Sequence, residues 1–546
     1  MTKSSGNRWC ILMVLGAPIV AMAQTAPDAG SLQQQIERER QQQAPKRAAP
    51  AVPAPPAAMN AALDVTVKVK EFRLVGNTLL SREQLTPGLD GYLNRPLGFA
   101  QLMEVVGAVA ARYRDAGWVA RVYLPEQDIR DGVVTLQVVE AVLGKLAFEG
   151  TPPRRVEAGR IRRIIESAQQ AGALLSGQAI NRALLLADEL PGVTVSGRLA
   201  TGANERETDL FVKVEDEPLF SADVTADNTG SRASGRERLS ASLFLASPLG
   251  LGDQVNGNLI HTRGSDYIRI AGSLPVGFDG WRIGLSGSSL DYRLVTSEFA
   301  ALNVRGSSRT VGIEASYPLV RSRDGKLTFS ANFDQKRFDN AAADSTTARY
   351  DLGALSMALS GHRFDDWGGG GTSSASLSLS AGMRRNLAGT TDQHFGKLRY
   401  SASRMQVLAH NLVLSAQVSG QESDDSLDSS EQFYLGGVSG VRAYPTSEAS
   451  GASGALASLE LRLNLTRGFT LTGFLDSGHV RNRDGMPSLS LSGYGLSLAW
   501  QGPAGADLKA TWSRRLGHNP NPTADGHDQD GSLVRNRVWL TASLPF

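Results

Sequence analysis

The side chains that could do covalent, acid–base or metal chemistry are few and scattered. The seven histidines (His261, His362, His394, His410, His479, His518 and His527) form no His-Glu-x-x-His pair, the spacing that would put two zinc ligands on one helix face. No Gly-x-Ser-x-Gly nucleophile turn is present. Nothing resembles a phosphate loop for ATP. Cys10 is the only cysteine. The sequence predicts no enzyme, no metal site and no cofactor.

The elements that would have to position any function point instead to export and a membrane. Lys3 and Arg8 precede the short apolar run Ile11 to Val20, and Ala21-Met22-Ala23 is a small-x-small cleavage signal. This reads as a secretory leader, residues 1–23, cut after Ala23. The run is short of the ~20 apolar residues of a spanning helix. Cleavage would also remove Cys10, leaving no disulfide and no thiolate metal ligand. The formal charge of +2 is matched by Lys3 and Arg8, so the exported chain is near neutral and implies no nucleic-acid partner. After residue 23 no segment is long and apolar enough for a membrane helix, so a membrane protein of this composition must span by strands.

Residues 24–43 hold a polar stretch, Ser31 to Gln43, with good helix propensity, a thin Leu32/Ile36 stripe and Ser31 as a candidate cap. It reads as a marginal helix or a disordered tract. Residues 44–63 are rich in Ala and Pro, an extended linker. Residues 64–141 follow as β-α-α-β-β. The alternation of Val65, Val67 and Val69 starts a strand that ends at Gly76-Asn77. A helix is expected over Ser81–Leu93 and a second from Phe99 to Tyr113, then strands Trp118–Leu124 and Val133–Val139. Residues 142–217 repeat the order, with helices over Arg155–Gln169 and Ser176–Leu190.

From residue 218 to 546 helical periodicity gives way to alternating segments split by Gly, Asn, Asp and Ser. Ser374, Ser376, Ser378 and Ser380 share one face, and Ala375, Leu377, Leu379 and Ala381 the other. At roughly 20 residues per strand and connection, this length predicts a membrane β-barrel of about 16 antiparallel strands. Val538, Leu540, Ala542 and Leu544 alternate up to Phe546, a candidate C-terminal assembly signal. A soluble sandwich shares the alternation and is the alternative fold.

Several blocks then resemble one family. Gly117-Trp118-Val119-Ala120-Arg121-Val122-Tyr123-Leu124-Pro125-Glu126-Gln127-Asp128 and Gly132 to Glu140 look like the characteristic blocks of a POTRA domain in two-partner secretion transporters, the TpsB-type haemolysin/haemagglutinin secretion-activation family. Leu190-Pro191-Gly192-Val193 resembles the second POTRA domain. Asp227-Asn228-Thr229-Gly230 and Ser247 to Asp253 resemble the first barrel hairpin. Val441-Arg442-Ala443-Tyr444 resembles the Val-Arg-Gly-Tyr/Phe signature of the sixth extracellular loop, and Phe474-Leu475-Asp476-Ser477-Gly478 the Phe-x-Asp-x-Gly signature of a later strand.

The resemblance implies an outer-membrane transporter with its POTRA domains in the periplasm. Its loop would fold into the lumen so that Arg442 meets Asp476, flanked by Phe474 and Gly478. The departure is Ala443, where the family usually has Gly; a positive φ there would strain an alanine. The first POTRA domain would capture the unfolded secretion domain of a large exoprotein by β-augmentation. The candidate surface is Phe99, Met103, Val106, Tyr113, Val119, Arg121 and Tyr123, although the apolar members also suit a core. The N-terminal helix would plug the lumen. Other implied partners are outer-membrane lipid, lipopolysaccharide and the barrel assembly machinery. An insertase of the same superfamily is the alternative function, and a passive porin a more distant one.

Overall fold

The computed structural model describes residues 26–43, 66–129, 131–387, 392–423, 426–481 and 487–546. The expected leader, 1–23, and linker, 44–63, lie outside these residues.

The first N-terminal domain is a three-stranded sheet in the order Glu71–Val75, Val133–Glu140, Ala120–Tyr123. The first pair is parallel and the second antiparallel. The helix Phe99–Asp115 covers it, turning Leu102, Val105, Val106, Val109 and Tyr113 onto Phe72, Val134, Leu136 and Val138. That spacing is one helical face. Glu140 ties the domain together. Its carboxylate accepts from Thr78 N (2.7 Å), Leu79 N (2.7 Å), the Tyr113 hydroxyl (2.9 Å) and the Thr78 hydroxyl.

Two expectations change here. Val65, where the strand is expected to begin, lies outside the described residues; Val67–Lys68 pairs separately with Pro96–Leu97, and the sheet strand starts at Glu71, where Lys70 N and Glu71 N both turn to the Gly132 carbonyl. The helix over Ser81–Leu93 is one turn, Arg82–Leu85, and a 3₁₀ turn, Asp90–Tyr92. Pro87 has no N–H to continue the helix, and Gly88 at φ +86° reverses the chain.

The second domain repeats the topology with strands Val142–Glu149, Glu207–Asp216 and Val193–Thr201. Both expected helices form, over the shorter spans Ala158–Ala168 and Gly177–Asp188, and Ser176 caps the latter by accepting from Ala179 N. A main-chain ladder joins the domains: Val119 N to Leu175 O, Leu175 N to Ala141 O and Ala141 N to Val119 O. The second domain docks on the barrel turns. Arg160 donates to Pro275 O (2.9 Å), Arg182 to Pro318 O (2.9 Å), and Glu189 pairs with Arg321 (2.7 Å) and Lys326 (3.0 Å). Those turns therefore mark the barrel end that carries the two domains, the periplasmic end under the resemblance above.

Among the described residues, sixteen strands close into one barrel. Every neighbouring pair is antiparallel, and strand sixteen (Asn536–Pro545) returns to strand one (Phe220–Asp227) through Thr541↔Asp227 to Pro545↔Asp223. Closure satisfies the main chain without water, which is what a bilayer demands. On strand nine (Gly371–Asn386), Leu377 and Leu379 are exposed on the outer face and the serines between them face inward. The fold is a membrane barrel, not a sandwich.

Burial alone would raise the Glu140 carboxyl; the Leu79 and Thr78 N–H groups and the two hydroxyls outweigh it and hold the group below the usual carboxylate range. Its stabilisation is therefore complete above the unfolded value near 4.3 and is lost as pH falls through the depressed folded value. Glu140→Ala is expected to destabilise this domain by about 1–3 kcal/mol and to flatten that acid limb, read from urea unfolding of the periplasmic part by Trp118 fluorescence at several pH values.

A stoppered lumen as candidate functional site

The sixth extracellular loop joins strand eleven (Leu412–Glu422) to strand twelve (Ser453–Asn464). It folds inward as a small hairpin, Phe433–Leu435 against Ala449–Gly451. Gly436 and Gly437, at φ +93° and +76°, form its bend. Leu435, Val441 and Tyr444 are buried against Leu456, Val480 and Leu491 of the wall.

Arg442 is the hub of this contact. Its Nε and Nη2 donate to Asp476 Oδ2 (2.8 Å) and Oδ1 (2.6 Å), a bidentate pair. Its Nη1 reaches Glu460 (2.7 Å), Nη2 also reaches Ser458 (3.0 Å), and the guanidinium stacks 3.5 Å over the Phe474 ring. The Arg442 carbonyl accepts from Ser513 (2.7 Å) and Trp539 Nε1 (2.8 Å). Strands twelve, thirteen (Phe469–Arg481), fifteen (Asp507–Arg515) and sixteen thus hold one residue. The side chains are 11% and 1% exposed for Arg442 and Asp476, so removing Arg442 leaves the Asp476 carboxylate buried without its cation, and removing Asp476 leaves Arg442 with Glu460 alone.

Ala443 does not have a positive φ, so the alanine carries no backbone strain. Its methyl occupies space left open on strand fourteen (Leu489–Gln501), where a Cβ on Gly493 would lie 2.5 Å from the Ala443 Cβ. Gly478 does the same for Leu435, whose Cδ2 lies 2.6 Å from where its Cβ would be. The glycines belong to the wall, cut to receive the loop.

A second anchor was missed in the sequence. Glu431 receives Lys336 Nζ (2.6 Å) from strand seven (Gly325–Ala342) and Lys397 Nζ from strand ten (Gln393–Ala409). The loop is therefore clamped at both ends, to opposite parts of the wall. The available signal was a lysine at an inward position in each of two strands with no carboxylate beside it in register.

The N-terminal helix, Ala29–Gln43, lies in the lumen. Asp28 caps it, not Ser31: Asp28 Oδ1 accepts from Ser31 N (2.8 Å), and Ser31 Oγ accepts from Asp28 N (3.1 Å). Ala29, Leu32 and Ile36 pack on wall residues that include Tyr267, Tyr292 and Phe338. Gln33 bonds Thr310 (2.6 Å), Glu37 accepts from Tyr267 (2.6 Å), and Glu39 meets Arg238, which also pairs with Asp227 (3.1 Å). Arg38 donates to the loop carbonyls of Tyr434 and Ser439, the latter at 2.7 Å. A polar helix that is marginal alone is ordered here by a polar wall.

The candidate periplasmic surface divides. Phe99 and Met103 are 36% and 43% exposed, Arg121 is exposed and Tyr123 half-buried. Val106 and Tyr113 belong to the core instead, on the helix face turned to the sheet. Val119 sits at the interdomain ladder and packs on the second domain. Phe546 is exposed, but its main chain pairs with Ala222 of strand one (2.7 and 3.1 Å).

A membrane barrel filled by its own chain and carried on tandem periplasmic domains defines the class of POTRA-bearing outer-membrane transporters. The family model described as haemolysin secretion/activation protein ShlB/FhaC/HecB matches residues 206–500, and that of the ShlB-type POTRA domain matches 67–141. The chain belongs to the haemolysin secretion/activation protein family ShlB/FhaC/HecB. It is similar to the heme/hemopexin transporter protein HuxB of Haemophilus influenzae, 25% identical over 81% of this chain and 80% of that protein. It is equally similar to the outer membrane transporter CdiB of Dickeya dadantii, at 25% over 87% of each. The solved CdiB from Escherichia coli shares the fold, with a TM-score of 0.72 and 21% identity over 96% of this chain and 100% of that one. The chain is an outer-membrane transporter of a secreted partner protein, with its POTRA domains in the periplasm.

Gly493→Ala is expected to drive Ala443 from its seat and weaken loop docking by about 1–3 kcal/mol. Adding Ala443→Gly should restore most of it, leaving only the tighter approach to the Arg514 carbonyl at 3.1 Å. Trypsin cleavage after Arg442 in the folded barrel reads this; equal cleavage of the single and double variants would contradict the fit.

Proposed function

We propose that the first POTRA domain captures an extended, unfolded segment of a large exoprotein, its N-terminal secretion domain, and that the barrel conducts it outward once helix and loop give way. The observation that carries this reading is the filled lumen, because no large chain passes while the helix and loop are bound. Capture is supported by Ala120–Tyr123, which is a sheet edge beside the helix that exposes Phe99 and Met103. An edge strand offers unpaired main-chain groups to an incoming strand. The energy would come from the partner folding outside, without a catalytic site or bound cofactor. Outer-membrane lipid, lipopolysaccharide and the assembly machinery, the last reading Phe546, complete the set of partners.

In a strain carrying the cognate exoprotein, Arg442→Ala is expected to cut surface exoprotein while the barrel still assembles and porin levels stay normal. Loss of porins with it would point to an insertase, and full secretion would refute a working role for Arg442. Deleting residues 29–43 should raise single-channel conductance in planar bilayers, and unchanged conductance would sink the plug.

A further inference from the structure

Strand five (Trp281–Arg293), strand six (Arg305–Arg321), strand seven and strand eight (Ser345–Asp365) extend beyond the apolar belt on the side away from the periplasmic turns. Their register sets Arg293 opposite Arg305 and Arg309 opposite Arg337. All four are exposed, at positions that alternate with the buried lumen residues Tyr292, Ser308, Thr310 and Phe338. They therefore face outward, toward lipid. Like charges directly across a strand pair are destabilising unless something compensates them.

Part of this charge is compensated within the chain. Arg337 holds Asp351 in a bidentate pair (2.7 and 3.0 Å), Arg305 reaches Asp344 (3.1 Å), and Arg349 takes Asp339 (2.7 Å). Arg293 and Arg309 have no carboxylate partner among the described residues. Asp291 shares their face and pairs with neither.

The height of the patch says what it would meet. Val311 and Ile313, 60% and 53% exposed, lie next below Arg309 on the same face. Trp281 and Tyr317, with ring centroids 4.9 Å apart, mark the periplasmic border of the belt. Tyr317 is eight positions from Arg309, roughly 26 Å along the strand at about 3.3 Å per residue. At a tilt of about 40° that is about 20 Å along the membrane normal, close to the height of an apolar band. By the same arithmetic Arg305, four positions further along the strand, and Arg293 opposite it stand about 30 Å up, so the two arginine pairs bracket the outer headgroup level.

We propose that Arg293 and Arg309, each backed by the neighbouring Arg305 or Arg337, bind the phosphate groups of a phosphorylated glycolipid in the outer leaflet, of the lipid A type. Guanidinium and phosphate match bidentately, and a guanidinium is weakly hydrated enough to sit beside acyl chains. The inference rests on the outer-membrane partners named above and assigns a site to one of them.

The test uses the purified full-length protein in detergent and measures binding of lipid A and of enzymatically dephosphorylated lipid A. The double variant Arg293→Gln/Arg309→Gln is expected to bind lipid A about tenfold more weakly. Dephosphorylated lipid A should bind the wild-type protein as poorly. Arg481→Gln, an outward arginine on strand thirteen already paired with Glu422, should leave affinity unchanged. Affinity of the double variant equal to wild type, or equal binding of the phosphate-free lipid, would overturn the site. So would full competition by millimolar inorganic phosphate, which would mark a simple anion site. Heat-modifiable migration and exoprotein secretion of the same variant report separately on assembly and on transport, so failure of the lipid site leaves a distinct signature.

Discussion

A guanidinium withdrawn from water must keep its carboxylate, and in this barrel that requirement fixes an entire loop. Arg442 meets Asp476, Glu460 and the Phe474 ring at once, while its carbonyl is held by Ser513 and Trp539. Such pairs contribute little net stability against an apolar replacement, but they are costly to half-break. They therefore specify a position more than they add strength. The wall is shaped around that position, with Gly478 and Gly493 leaving room for Leu435 and Ala443.

Loop and helix are one unit. Arg38 is bonded to two loop carbonyls, and Ser429 of the loop donates to Asp28 at the helix start (2.8 Å). Glu431 meanwhile holds the loop to Lys336 and Lys397 across the lumen. If the helix departs, Arg238 keeps Asp227 as its partner, so its charge is not stranded. Loss of Glu431 from its seat would leave two buried ammonium groups in the wall without their carboxylate. Departure of the helix also takes Glu37 from one wall cation, Arg269 (3.6 Å), whereas departure of the loop takes Glu431 from two, Lys336 and Lys397, which places the loop's anchors at the harder step of opening.

Much of this was legible in the sequence. Strand alternation is a period-two signal fixed by lipid on one side and polar groups on the other, so Ser374 to Ala381 could be assigned faces directly. The tandem domains were visible because each must bury one apolar helix face. What failed was local or distant. The helix over Ser81–Leu93 ignored Pro87 and Gly88. Ser31 has the residue type of a cap, but Asp28, three residues earlier, accepts from Ser31 N and takes that place. Val106 and Tyr113 suit either a binding surface or a core in the sequence, and the structure puts them in the core, with Tyr113 the buried donor to Glu140. The Glu431 clamp joins residues 34 and 95 positions apart, and no periodicity carries that information.

The central claim is that the Arg442–Asp476 pair holds the loop in the lumen. It is tested most directly by electron–electron resonance between spin labels at Ser447 in the loop and Asp366 in a periplasmic turn, comparing the wild-type background with Asp476→Asn. The wild-type protein should give one narrow distance distribution, and the variant a broad one extending to longer distances. The same narrow distribution in both would contradict the claim.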